Sequence, residues 1–279
     1  MLSIIIPACD LLGIYSDLPY YSPPPNIEKY ISLFEDNDFK KDLIENYNKI
    51  LEIKNTNNRF VPFSQFSNSF NWLLKYTSPI REEDYSYKEI NFDVEDGYIV
   101  FDCGANSSKD IGLNCLYFSK KAGKNGKVYA FEPIPYIYNE LLEDIKGCEN
   151  IVAVNKGVSD KKQKAHFEDL GGGSRIASNG TIEVELTTID DFVKEQGIEK
   201  VDFIKMDIEG AELDALKGAI NTIKTFKPKL VICVYHKPEH LYEIPQFIKS
   251  IIPEYKIWLL NNEISPDMWN GTKVFCKYE

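Results

Sequence analysis

Residues 98–106 read Tyr-Ile-Val-Phe-Asp-Cys-Gly-Ala-Asn, and this run decides the fold. Its apolar part is short and near-continuous, as in a strand covered on both faces. The acidic residue and small glycine turn that follow suit a strand-to-helix junction where a ligand approaches the backbone and meets free helix N–H groups. Working outward, 128–131, 151–155, 201–206 and 230–235 have the same character. Between these runs, helical spacing is expected over 111–122, 135–146, 188–196, 210–224 and 239–251, the last weakened by Pro245. Short apolar runs alternating with amphipathic crossovers predict an α/β fold with a doubly wound, mostly parallel sheet. Two closing runs, 255–260 and 272–276, are near enough to pair as a hairpin. Residues 161–180, with Gly171-Gly172-Gly173, break the alternation and predict an inserted flexible loop on the ligand side of the sheet.

The remaining sequence, 1–95, is rich in Tyr, Asn, Phe and Pro, with helical spacing over 27–53. It predicts a helical N-terminal region, a cap over the core or a lid, preceding a main domain over 96–279. The whole chain has 279 residues, which suits one large domain or one plus an appendage. A net charge of −11 disfavours a dedicated nucleic-acid binder. No segment approaches the ~20 apolar residues of a membrane span, and no signal peptide is expected. Six scattered cysteines without a CxxC pair exclude a disulfide framework or zinc ribbon. A cytoplasmic protein is the expectation.

In such a sheet ligands bind beyond the carboxyl ends of the strands, where the strand order switches. Four strand ends are candidates. Asp102, Gly104, Ala105 and Asn106 form the first turn; the next glycine, Gly112, is too distant for a dinucleotide fingerprint. Glu132, at the tip of the second strand, is placed to accept hydrogen bonds from ribose hydroxyls. Lys205, Asp207 and Glu209 fall on one side as the fourth strand ends, a density of charge that tunes protonation states. His236 follows the fifth strand and is a candidate general base. Pro238, between His236 and His240, argues against a helical metal pair, and no HExxH is present, so no metal site is expected. His240 is expected at the surface or in packing, and His166 belongs to no constellation.

The runs VFDCGAN (100–106), YAFEPIP (129–135), TTIDDF (187–192), DFIKMDIEGAELDALKGA (202–219) and LVICVYHKPEHLYEIP (230–245) together resemble the FkbM family of S-adenosylmethionine-dependent methyltransferases. The resemblance covers about 98–260. It implies a Rossmann-like class I methyltransferase sheet of seven strands, mostly parallel with the last antiparallel. It also implies O-methylation of a hydroxyl on a sugar or polyketide-type acceptor. By position, Asp102, Gly104, Ala105 and Asn106 would line the methionine end of S-adenosylmethionine, and Glu132 would hold the ribose. The turn Lys156-Gly157-Val158-Ser159 would border adenine. Asp207, with Lys205 and Glu209, would stand at the methyl-transfer centre near His236. Asp207 or His236 would take the hydroxyl proton, with Lys205 as a charge partner, while the glycine loop with Ser174 and Arg175 closes over the acceptor.

The chain departs from the pattern at Ser107-Ser108-Lys109-Asp110, which lengthens the first turn before Ile111-Gly112. Three rivals stay open. One is a nicotinamide-dependent oxidoreductase, for which the Tyr117/Lys121 pair is misplaced. The second is a methyltransferase-like module that binds without turnover, and the third an enzyme holding Mg²⁺ at Asp207 and its neighbours. The resemblance leaves homo-oligomer formation undetermined.

Overall fold

A seven-stranded sheet organises the molecule, in the order β10-β11-β9-β8-β1-β2-β3. Its strands are β1 (Ile99–Cys103), β2 (Lys127–Phe131), β3 (Ile151–Val154), β8 (Phe203–Met206), β9 (Lys229–Cys233), β10 (Tyr255–Asn261) and β11 (Thr272–Tyr278). The first five run parallel. Only β11 is reversed, pairing antiparallel with both β9 and β10. This is the expected sheet, closing hairpin included. The chain builds outward from β1 to β3, then returns to β8 on the other side of β1, so the switch point lies between β1 and β8. The computed structural model describes residues 31–38, 40–41, 85–107, 113–171, 173–176, 180–261 and 271–279.

Helices cover both faces: α1 (Asn114–Ala122), α2 (Pro135–Asp144), α3 (Ile189–Gln196), α4 (Glu212–Lys217), α5 (Ile220–Phe226) and α6 (His240–Ile251). Thr188 caps α3 by accepting a hydrogen bond from the Asp191 N–H at 2.9 Å. The single helix expected over 210–224 is divided into α4 and α5. At the break, a Cβ on Gly218 would collide with the carbonyl of Ser159, so the backbones meet where a regular helix carrying side chains would not fit. α6 continues through Pro245, whose lost hydrogen bond is offset by the burial of Leu241, Ile244 and Ile248. No helix among the described residues is long and apolar enough to cross a membrane.

The expected flexible loop at 161–180 is instead largely a second sheet. Strands β4 (Gly157–Val158), β5 (Gln163–Glu168), β6 (Arg175–Ile176) and β7 (Ile182–Thr187) join in the order β4-β7-β5-β6. Its physical cause is period-two alternation. Ile182, Val184 and Leu186 alternate with Glu183 and Glu185, and with Phe167 they pack on Ile134 and Ile137 of the α2 region. The outward carboxylates meet Lys164 at 2.7 Å and Lys156 at 3.4 Å. Gly171 and Gly173 lie in a turn, where Ser174 Oγ donates to the Gly171 carbonyl at 2.6 Å and accepts from the Leu170 N–H at 3.0 Å.

The last part of the N-terminal region joins the main core. Phe92 is fully buried between Phe203 and Phe275, with ring centroids 5.5 and 5.1 Å away. Most of the helical spacing at 27–53 falls outside the described residues. Within it, a 3-10 turn at Ile31–Leu33 precedes Glu35 and Asn37, which donate to the β10 carbonyls of Ile257 and Leu259 at 2.7 and 2.8 Å.

Candidate active site

The turn after β1 and the end of β8 are pressed together. Gly104 has φ +83°, and a Cβ there would collide with the Asp207 carbonyl, so this glycine is demanded by the neighbouring strand end. The N–H groups of Gly104 and Ala105 both donate to the Phe131 carbonyl, at 3.1 and 3.0 Å, and Ala105 is buried. Asn106 also has positive φ, and its N–H donates to Glu132 Oε2 at 3.1 Å.

Asp102 and Lys205 differ from their expected places. Asp102 is 0% exposed and its Oδ1 lies 3.0 Å from Lys205 Nζ, while Lys205 is 1% exposed. Lys205 also donates to the Gly104 carbonyl at 2.7 Å. Burial opposes its charge, but Asp102 and Asp207 outweigh that and hold the ammonium charged. Both groups are therefore internal to the sheet. They tie the first turn to β8 and do not line an open ligand site.

Beyond them lies a charged cluster. Asp207 Oδ2 accepts from Tyr85 Oη at 2.6 Å and Oδ1 from Tyr235 Oη at 3.2 Å. His236 Nε2 lies 3.3 Å from Asp207 Oδ1 and 3.5 Å from Glu209 Oε1. Its Nδ1 lies 2.8 Å from Glu212 Oε1. The fully buried Glu212 also accepts from the Ile208 and Gly210 N–H groups at 3.0 and 3.3 Å. His240 is not at the surface: it is buried, with Nδ1 3.1 Å from Glu212 Oε2. Burial raises Asp207, but Lys205, His236 and Tyr85 hold it below the usual carboxylate range. Burial likewise opposes charge on His236, and Glu212 with Glu209 and Asp207 outweighs it, raising the imidazole well above its ordinary 6.5. This cluster can hold a polar group between strand ends and move a proton.

Glu132 stands at the tip of β2, 5% exposed. Its Oε1 accepts from the Ile134 N–H at 2.9 Å, and burial pushes its carboxyl up to about 7. Beside it a small apolar cavity is lined by Gly104, Phe131, Pro133, Gly157, Val158 and Ile208, among others. Gly157 and Val158 thus line this cavity. Ser159 does not: it is buried, with its N–H bonded to Thr187 and its carbonyl against Gly218.

Four residues of the cluster, Tyr85, Tyr235, Glu212 and His240, carry no assigned role in the sequence reading. The acidic character of Glu212 and its place in the 202–219 run were visible, but its buried bridging of two histidines arises only in three dimensions. Tyr85 lies 122 residues before its partner Asp207, so no local pattern could join them. The Tyr85 ring also carries Lys205 and Lys273 at 5.1 and 5.0 Å from its centroid.

The profile of the methyltransferase FkbM domain matches residues 102–256, more than half the chain. The chain belongs to the FkbM methyltransferase family. Among curated relatives, hexuronic acid methyltransferase AglP of Haloferax volcanii is 26% identical over 138 residues, covering 48% of this chain and 54% of that protein. The 2-O-methyltransferase NoeI of Sinorhizobium fredii is 26% identical over 184 residues, covering 57% of this chain and 72% of that protein. The crystal structure of methyltransferase FkbM from Methylobacillus flagellatus superposes with a TM-score of 0.61 at 22% identity, covering 90% of this chain and 58% of that one. That likeness concerns the fold. This chain therefore spans little more than half the length of AglP and of the crystallised FkbM protein.

Proposed function

We propose that this FkbM-family methyltransferase is an S-adenosylmethionine-dependent O-methyltransferase acting on a hydroxyl of a sugar or secondary-metabolite acceptor. The observation that carries this reading is the adjacency of the Gly104 turn to the Asp207–His236 cluster at the switch point. A cofactor cradle and a proton-handling group therefore meet at one place. The name of AglP, a hexuronic acid methyltransferase, supports a saccharide acceptor, and that of NoeI, a 2-O-methyltransferase, supports transfer to oxygen. The net charge of −11 speaks against nucleic acid, and six scattered cysteines without a CxxC pair favour a reducing, cytoplasmic setting.

S-adenosylmethionine fits the residues present. A buried carboxylate at the tip of β2 suits ribose hydroxyls, and the apolar cavity bordered by Gly157 and Val158 suits an adenine ring. When bound, it supplies an electrophilic methyl group on a sulfonium. On this reading Gly104 and Asn106 shape the turn around the methionine end, with Ala105, Asp102 and Lys205 as positioning groups behind it. Asp207 receives the acceptor's hydroxyl proton, and His236, Glu209 and Tyr85 keep it oriented. Alignment of hydroxyl and methyl group is the main task, as in any in-line displacement. Tyr85, near the end of the N-terminal region, reaches this cluster through its hydroxyl. Titration with S-adenosylmethionine beside NADH tests the reading: micromolar binding of the first alone is expected, and absence of that binding would overturn it.

Two further outcomes are expected. Glu132 accepts hydrogen bonds best when ionised, and its carboxyl titrates at about 7 rather than at 4.5. Burial is the main cause, opposed by the Ile134 and Asn106 N–H groups and Lys205 and assisted by Asp102. Cofactor affinity should therefore rise as pH increases from 6 to 8. The folded protein keeps a proton there that the unfolded chain has released, so this group's contribution to stability falls with rising pH between about 4.5 and 7. A pH-independent affinity, or the same pH profile in Glu132→Gln, would remove Glu132 from the cofactor site. The second outcome concerns Tyr85→Phe, which deletes the 2.6 Å bond to Asp207. A hydrogen bond to a charged group contributes about 1.5–3 kcal/mol, so kcat should fall roughly 10- to 100-fold with the cofactor KM little changed. An unaltered kcat would show that Tyr85 only packs.

A further inference from the structure

His236 is held by one carboxylate and aimed at two others. Its Nδ1 is 2.8 Å from the buried Glu212 Oε1, which fixes the ring. That contact turns Nε2 toward Asp207 Oδ1 at 3.3 Å and Glu209 Oε1 at 3.5 Å. The side chain is only 8% exposed, and buried Nε2 makes no hydrogen bond among the described residues. N–H···O bonds cluster near ~2.9 Å. Neither contact reaches that length. Separations of 3.3 and 3.5 Å are instead those of atoms sharing one ion about 2.0–2.2 Å from each. All three candidate ligand atoms lie within 4.8 Å of one another. A carboxylate on the far ring nitrogen is the usual partner of a metal-bound histidine, setting its tautomer and raising its basicity.

We propose that Asp207, Glu209 and His236 bind one divalent transition-metal ion, with Glu212 orienting His236 from behind. One imidazole with two carboxylates suits Zn²⁺, Co²⁺ or Mn²⁺ better than the all-oxygen preference of Mg²⁺ or Ca²⁺. The site replaces the expectation of no metal. The His236/His240 pair, against which Pro238 argues, is not the ligand set: the ligands come from two strand ends, and His240 faces Glu212. Three protein ligands leave a position open, as catalytic metal sites do. The role of that position rests on the methyltransferase reading: it would take the oxygen of the acceptor hydroxyl and make its proton easier to remove, the proton passing to Asp207 Oδ2, the carboxylate oxygen that does not hold the ion.

The test is titration of chelator-treated full-length protein with Co²⁺, followed by visible ligand-field absorption and calorimetry, with S-adenosylmethionine titrated into the same preparation. One equivalent of Co²⁺ should bind at micromolar concentration or tighter. Glu209→Gln, whose side chain is 32% exposed and carries little packing, should weaken it at least tenfold. His236→Ala should abolish the ligand-field change, while Glu183→Gln on the small sheet should leave binding intact. Absence of saturable one-equivalent binding would overturn the site, as would binding that Glu209→Gln and His236→Ala both leave unchanged. If S-adenosylmethionine still bound in that case, the ion site would fail and the methyltransferase reading would stand. Co²⁺ binding as described without any binding of S-adenosylmethionine would support the ion site and overturn the methyltransferase reading.

Discussion

Asp207→Asn is expected to lower single-turnover methyl transfer by about 10²- to 10⁴-fold, the usual range for loss of a positioned proton acceptor. The substitution keeps shape and size, so the turn after β8 should hold. What changes is charge. Asp207 is held ionised by Lys205, His236 and the Tyr85 hydroxyl against the penalty of burial. Both its oxygens accept hydrogen bonds, from Tyr85 at 2.6 Å and from Tyr235 at 3.2 Å. A carboxamide cannot take a proton, and its NH₂ must face one of those hydroxyls or His236. Cofactor affinity should change by no more than about twofold, because Asp207 is not among the residues that line the apolar cavity and Glu132 stands at the tip of β2; a uniform binding loss would instead appear in KM. His236→Ala, which removes the group aligned between Asp207 and Glu212, should also lose most turnover. Full activity in both variants would exclude the cluster from the chemistry.

The fold was legible because its main determinants are local. Near-continuous apolar runs ending in acid and glycine mark parallel strands, and β1, β2, β8 and β9 formed where those runs predict them. The small sheet was missed although its signal was present. Ile182-Glu183-Val184-Glu185-Leu186 alternates strictly, but the triple glycine upstream masked it by suggesting an unstructured insertion. The division of α4 from α5 could not be foreseen, since its cause is the Ser159 carbonyl lying against Gly218. At the site, period-two alternation placed Lys205 and Asp207 on one side of β8. Nothing local to β8 indicates that Asp102 draws Lys205 inward while Tyr85 and His236 engage Asp207. Charge partners far apart in sequence decide those orientations. That is why residue types were readable and their divisions of labour were not.

The second large effect is structural. Lys205→Met should destabilise the protein by roughly 3–5 kcal/mol, the cost of leaving one partner of a buried ion pair uncompensated. Asp102 is 0% exposed, and its Oδ2 has no hydrogen-bond partner among the described residues, so Lys205 at 3.0 Å is its main source of compensation. The same ammonium serves the Gly104 carbonyl at 2.7 Å, and that acceptor too would be stranded. For a chain of this size the fall in Tm should be on the order of 10 °C. The double variant Asp102→Asn with Lys205→Met separates charge from packing. Removing both ions deletes the buried unpaired charge, so it should recover much of the loss, with a coupling energy of about 1–3 kcal/mol in a double-mutant cycle. A single Lys205→Met variant as stable as the parent would mean that Asp102 takes up a proton at little cost. A double variant less stable than either single would mean that the pair contributes more than it costs to desolvate. In that case the tie between the β1 turn and β8 would be an energetic bond as well as a geometric one.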